Sequence, residues 1–218
     1  MGIFGLMGAG RTELLETIFG LYPYLSSGTV KIEGKEVTIA SPMQAVKSGI
    51  ALVPEDRKKN GIVPIMDVKQ NISLASLDNH TTQIGFLNHQ AETNLATKYI
   101  QELGIKTTSS GQLIKYLSGG NQQKAILGKW LATHPKVLLL DEPTRGIDVH
   151  AKSEIYKLIL QLAASGLGIM MVSSELPEIF AVSDRILVLS EGQLTLETRV
   201  NETSEDKLLK AAISTNQS

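Results

Sequence analysis

Three short apolar runs, 137–140, 169–172 and the one that follows Arg185 to residue 189, are separated by stretches whose apolar residues recur at helical spacing, 149–164 and a shorter one after Ser173. Runs of four or five apolar residues suit buried strands and are too short for helices. Strands joined through helices need crossover connections, so they lie parallel, and a parallel sheet must be covered on both faces. The pattern predicts an α/β fold with a mainly parallel sheet flanked by helices.

The first residues, Met1-Gly2-Ile3-Phe4, read as the end of a buried strand, so the chain is expected to be a truncated one. They run into Gly5-Leu6-Met7-Gly8-Ala9-Gly10-Arg11-Thr12, after which Leu14, Leu15, Ile18 and Phe19 keep helical spacing until Gly20. This is strand, glycine loop, helix. Residues 28–39 alternate polar and apolar around Glu33-Gly34, which predicts a hairpin with one wetted face. Another short strand, 50–54, ends at Pro54. From about 67 the texture turns polar and helix-forming, with a helix over 91–103 that Gly104 can stop. We read 67–113 as an inserted helical lobe in a core made of 1–66 and 114–218. Helices over 121–131 and 204–213, and a strand after the turn Glu191-Gly192, complete the pattern.

With 21 Lys and Arg against 22 Asp and Glu, the 218-residue chain has a formal charge of -1. That balance speaks against a broad grip on nucleic acid, which rests on clustered cations neutralising phosphates. No apolar run reaches the roughly 18 residues that a spanning helix needs. The absence of cysteine excludes disulfides and thiolate metal sites. His80, His89, His134 and His150 show no metal-ligand spacing and are expected at the surface.

In a P-loop, glycines let backbone N–H groups curl around phosphates at a helix start, a Lys reaches the terminal phosphates, and a Ser or Thr hydroxyl helps hold Mg²⁺. Gly5, Gly8, Gly10 and Thr12 fit that register, with Arg11 at the lysine position. Guanidinium is a planar fork rather than a point charge, so the exchange is not conservative. By itself the segment is equally a glycine-rich turn without a ligand. The strand 137–140 then delivers Asp141 and Glu142 at its C-terminal edge, where ligands of open α/β sheets sit. Asp141 is placed to organise Mg²⁺ and Glu142 to polarise an attacking water, although a strand can also simply end in acidic residues. Asp148 serves the same ligand, or is a helix N-cap. The string Leu117-Ser118-Gly119-Gly120-Asn121-Gln122-Gln123 puts a hydroxyl and free N–H groups at a helix start, toward an anion; a plain helix cap is the alternative, and it accounts for Ser118 alone.

Taken together, the glycine loop, the helical insert, LSGGNQQ and LLLDEP resemble the nucleotide-binding domain of ABC transporters, a P-loop NTPase fold. GLMGAGRTE, VPEDRKKNGIVP, DEPTRGID and VSSELPE look like the C-terminal half of the two-domain ATP-binding subunit of bacterial monosaccharide importers, those for xylose most, with ribose and galactose relatives close behind. The resemblance implies ATP and Mg²⁺ as ligands and a truncated N-terminal antiparallel sheet. It implies head-to-tail pairing with an N-terminal ABC domain of the same subunit or a second ABC subunit. A membrane permease would be a direct partner and a periplasmic sugar-binding protein an indirect one, at the cytoplasmic face of the inner membrane, with no nucleic acid. Ser118, Gly119, Gly120 and Gln122 would serve the partner's nucleotide, and Gly5, Gly8, Gly10, Arg11, Thr12 and Asp148 this chain's own.

The family's Q-loop glutamine and switch histidine are replaced by Glu55 and Ser174. Glu55 adds negative charge near the metal, and Ser174 is too short to span to a γ-phosphate. With Arg11, these exchanges imply that the chain's own site hydrolyses nucleotide poorly or not at all. The permease is expected on 55–71, where Arg57-Lys58-Lys59 is either part of that surface or a solvated turn.

Overall fold

The computed structural model describes residues 1–81 and 86–213. Residues 82–85 and 214–218, which belong to the expected lobe and core ranges, lie outside the described residues. Its strands are β1 (Gly2–Gly5), β2 (Val30–Ile32), β3 (Lys35–Val37), β4 (Ile50–Val53), β5 (Val137–Asp141), β6 (Gly168–Ser173), β7 (Arg185–Ser190) and β8 (Gln193–Arg199). Its α-helices are α1 (Arg11–Ile18), α2 (Pro42–Lys47), α3 (Val68–Ser73), α4 (His89–Glu102), α5 (Gly119–Leu131), α6 (Val149–Ala164), α7 (Leu176–Val182) and α8 (Glu205–Ile213). None of the helices among the described residues is long and apolar enough to cross a membrane.

The strands form a six-stranded sheet in the order β4-β5-β6-β1-β7-β8, with β2 and β3 as a separate antiparallel pair. β1 runs parallel to both β6 and β7, β5 runs parallel to β6, and β8 closes the edge antiparallel to β7. The α/β expectation therefore holds. β1 lies inside the sheet, and its Ile3 and Phe4 are essentially without exposure. A Cβ on Gly2 would fall 2.3 Å from Ser183 Oγ and one on Gly5 2.5 Å from the Leu189 carbonyl, so nothing larger than glycine fits at either end.

Local chemistry sets the element ends. The turn between β2 and β3 places Glu33 and Gly34 at φ 52° and 76°, as a two-residue hairpin loop demands. α4 begins two residues earlier than its periodicity suggests, because the Asn88 side chain accepts the Gln90 and Ala91 N–H groups. α3 opens with a reciprocal cap, Asp67 accepting from Gln70 N while the Gln70 side chain accepts from Asp67 N. α2 was not apparent from spacing. It is one short stretch with Ser41 as N-cap and Pro42 at its first turn.

The chain divides into two compact units. One holds Met1–Leu52, Lys136–Pro143 and Ile159–Ser218, and the other holds Val53–Pro135 and Thr144–Leu158. The expected site residues fall in both, and each unit is taken by itself below.

Candidate functional site

In the first unit the glycine loop lies between β1 and α1. Gly8 and Gly10 take φ 79° and 88°, a backbone region that residues with a Cβ rarely enter. Gly10 is the residue before α1, and no N-cap side chain bonds the N–H groups of the helix's first turn. Leu6 and Met7 stand exposed on the loop, while Ala9 is buried. The loop is braced by the turn between β7 and β8. The Gly192 N–H donates to the Ala9 carbonyl at 3.0 Å. A Cβ on Gly10 would lie 3.3 Å from Gly192 Cα.

Arg11 does not point its charge outward. Its Nη1 donates to Glu142 Oε1 at 3.0 Å, and the two side chains retain 9% and 10% exposure. Glu142 follows β5 with φ 44°, and its N–H donates to the Val172 carbonyl of β6 at 3.0 Å. Asp141, the last residue of β5, is buried, and its Oδ1 has no hydrogen-bond partner among the described residues. Burial pushes the Asp141 carboxyl up to about 6; a hydrogen bond from Thr12 opposes this, the Glu142 charge adds to it, and Arg11 opposes it. The structure thus brings Arg11, Thr12, Asp141 and Glu142 together. Ser174 stands exposed one residue beyond β6, while its neighbour Ser173 is buried and donates to Glu178 Oε2 at 2.8 Å.

An unpartnered buried carboxylate oxygen beside a threonine hydroxyl is a hard-oxygen donor set, which fits Mg²⁺. Among the described residues no group of three or more His, Cys, Asp or Glu could hold a metal. A cation here would complete its shell with water and phosphate oxygens.

In the second unit, Ser118 is the N-cap of α5. Its Oγ accepts from Asn121 Nδ2 at 2.9 Å and, at 3.5 Å, from Asn121 N. Ser118 is exposed, Gly119 half-buried and Gly120 buried. A Cβ on Gly120 would fall 2.7 Å from the Ala151 Cβ of α6. Asp148 is an N-cap here, its Oδ1 accepting from Ala151 N at 2.9 Å. Ser118, Gly120, Asn121 and Asp148 line one open cavity of about 270 Å³ together with Lys106 and His150. Gln122 is turned inward, where its Nε2 donates to the Ile114 carbonyl at 3.2 Å and its Oε1 accepts from Arg57 Nε at 3.2 Å.

The stretch Arg57–Gly61 is a single π-helical turn capped by Asp56, whose carboxylate accepts the Lys58 and Lys59 N–H groups at 3.0 Å each. It divides the basic run. Lys58 and Lys59 face solvent, whereas Arg57 is half-buried, and burial lowers its pKa, with the Asp56 charge opposing. Glu55 pairs with Arg145. The inward course of Arg57 carries no sequence signal, because a lone cation inside a charged string has no period.

A profile of the ABC transporter family matches residues 1–145. The chain belongs to that family. As an ABC protein it is 54% identical over 213 residues to the ribose import ATP-binding protein RbsA of Rhodopirellula baltica. It is 50% identical over 214 residues to the xylose import ATP-binding protein XylG of Photobacterium profundum, and 50% over 213 residues to the arabinose import ATP-binding protein AraG of Pseudomonas syringae. Each of these matches covers 98% of this chain and 42% of the relative, so the ABC chain spans under half the length of the curated relatives it matches. Among solved structures it shares its fold with the ATP-binding cassette MJ0796, a dimer bound to ADP and Pi, at TM-score 0.75 and 20% identity, covering 91% of this chain and 84% of that one. It also shares it with cbiO1 of Clostridium perfringens, part of the transporter complex cbiONQ, at TM-score 0.76 and 24% identity, covering 95% of this chain and 80% of that one.

Proposed function

We propose that this chain is the C-terminal half of the ATP-binding subunit of a bacterial monosaccharide importer. It works at the cytoplasmic face of the inner membrane and couples ATP hydrolysis to sugar uptake, with a pentose, xylose, as substrate. Its partners are the N-terminal ABC domain of the same subunit or a second ABC subunit, the membrane permease and, indirectly, a periplasmic sugar-binding protein. Identity near 50% with import proteins named for ribose, xylose and arabinose supports the sugar class. The choice of xylose rests on resemblance.

In this reading the chain gives more to its partner's site than to its own. Ser118, Gly119 and Gly120 present a hydroxyl and the open start of α5 to the partner's ATP. Donors supplied by a second domain stabilise charge on the transferred phosphoryl group only when the two domains close, which makes hydrolysis available to move a membrane partner. In the chain's own site, Gly8, Gly10 and the α1 start cradle phosphate, and Thr12 with Asp141 would hold Mg²⁺. When bound, that ion draws charge off the phosphate oxygens. The observation that carries the reading is the 3.0 Å contact from Arg11 to Glu142. With Oε1 engaged by the Arg11 guanidinium, Glu142 is not free to orient and activate a water.

The test is turnover of Mg-ATP by this chain alone and after addition of the N-terminal half. Little activity alone and restoration on mixing are expected. Strong activity alone, or none after mixing, would favour a different assignment, the latter a non-catalytic nucleotide-binding and dimerisation module. Stimulation of the permease-bound assembly by xylose against ribose and arabinose decides the sugar.

A further inference from the structure

Among the described residues Arg57 makes no ion pair with a carboxylate. Among the described residues its guanidinium is met by three neutral acceptors, Gln122 Oε1 at 3.2 Å, the Arg145 carbonyl at 3.3 Å and the Gly146 carbonyl at 3.5 Å. The acidic groups beside it are committed elsewhere: Asp56 caps the Lys58 and Lys59 N–H groups, and Glu55 pairs with Arg145. The head group also lies against the signature itself, since a Cβ on Gly119 would come 3.0 Å from Arg57 Nη2. The far end of the same turn is fastened to the same helix. Lys129 Nζ of α5 donates to the Gly61 carbonyl at 2.6 Å, and a Cβ on Gly61 would fall 2.6 Å from Ile126 Cδ1. The Arg57–Gly61 turn is therefore strapped along α5 from its first turn to its last.

We propose that Arg57 is the positioning residue of the signature helix. It holds the first turn of α5 and the 145–146 loop in one register, and it places behind Gly119 a positive charge whose hydrogen bonds go to neutral acceptors. That charge adds to the field of the helix start where the partner's terminal phosphate is received. Only a planar fork can meet the three acceptors at once, which is why arginine serves here and lysine serves less well. The inference rests on the reading that α5 faces a partner's nucleotide.

The test uses the chain joined with its N-terminal partner domain, with kcat and KM for ATP measured per folded protein. Arg57→Gln is expected to lower kcat on the order of tenfold at unchanged KM, since the interaction acts on the transition state, and Arg57→Lys is expected to recover much of the loss because charge remains. A merely structural strut would lower the unfolding midpoint and leave kcat per folded protein alone. Wild-type kcat in both variants, or equal losses in both, overturns the inference. Gly119→Ala supplies an independent measurement. Its methyl presses on Nη2, so its loss should not add to that of Arg57→Lys, whose ammonium leaves that space free; additive losses overturn the inference as well. Ser118→Arg in the same assay separates the levels: undiminished turnover there removes the composite-site reading itself, whereas loss there with silent Arg57 variants removes only the role of Arg57.

Discussion

Arg11 and Glu142, 131 positions apart in the chain, neutralise each other across 3.0 Å with 9% and 10% of their side-chain surfaces exposed. Removing one partner of such a pair leaves a charge with little water and no counter-ion. Arg11→Met should therefore destabilise the protein by about 3 kcal/mol, and adding Glu142→Gln should recover most of that. Urea denaturation near neutral pH reads both values. If Arg11→Met unfolds at the wild-type urea concentration, the pair does not hold in solution.

Gly120 has no room for a methyl, because the Ala151 Cβ lies 2.7 Å from where its own would be. Gly120→Ala is expected to lose roughly 1–3 kcal/mol by overpacking, partly restored when Ala151→Gly opens the space. Thermal unfolding of the single and double variants checks the contact, and an unshifted melting point in Gly120→Ala refutes it.

Lys129 is buried on α5, and burial lowers its pKa from the ordinary 10.5 to about 8. Between those values the unfolded chain binds the proton and the folded one does not, so stability rises with pH across that window and is flat below it. The gain is at most about 3 kcal/mol, and Lys129→Met should abolish it. Denaturation curves taken near pH 7.5 and near pH 10 give the slope; an identical pH dependence in wild type and variant would exclude the effect.

Asp141 behaves in the opposite sense. With its carboxyl pushed from 3.8 up to about 6, the folded state holds the proton more tightly, and its contribution to stability is lost as pH rises through about 6. Asp141→Asn should be more stable than wild type by about 2 kcal/mol near pH 8, with the difference vanishing below pH 4. The same variant should gain less from Mg-nucleotide in a thermal shift, since binding to the folded state adds stability only where the ion is held. Equal shifts in both proteins would place the ion elsewhere.

The fold was legible where periodicity and punctuation agree. The 149–164 spacing matches α6 at both ends, and Glu33-Gly34 marks its hairpin because few dipeptides tolerate two positive φ values. The short α2 escaped because six residues hold less than two turns of pattern, although Ser41-Pro42 carried a start signal. For the site, residue types and order spoke clearly while directions did not. Nothing local tells that Arg11 turns to a carboxylate 131 residues away, or that Gln122 and Arg57 face one another instead of solvent. Those contacts depend on distant segments meeting, which spacing cannot encode.

The hydrogen bond from Gly192 to Ala9 ties the outer hairpin of the sheet to the glycine loop. A one-residue insertion at that hairpin tip would therefore shift the backbone of the glycine loop without touching its sequence. Under the proposed function, that makes the rim of the sheet a place from which the fit of a phosphate in the loop is adjusted.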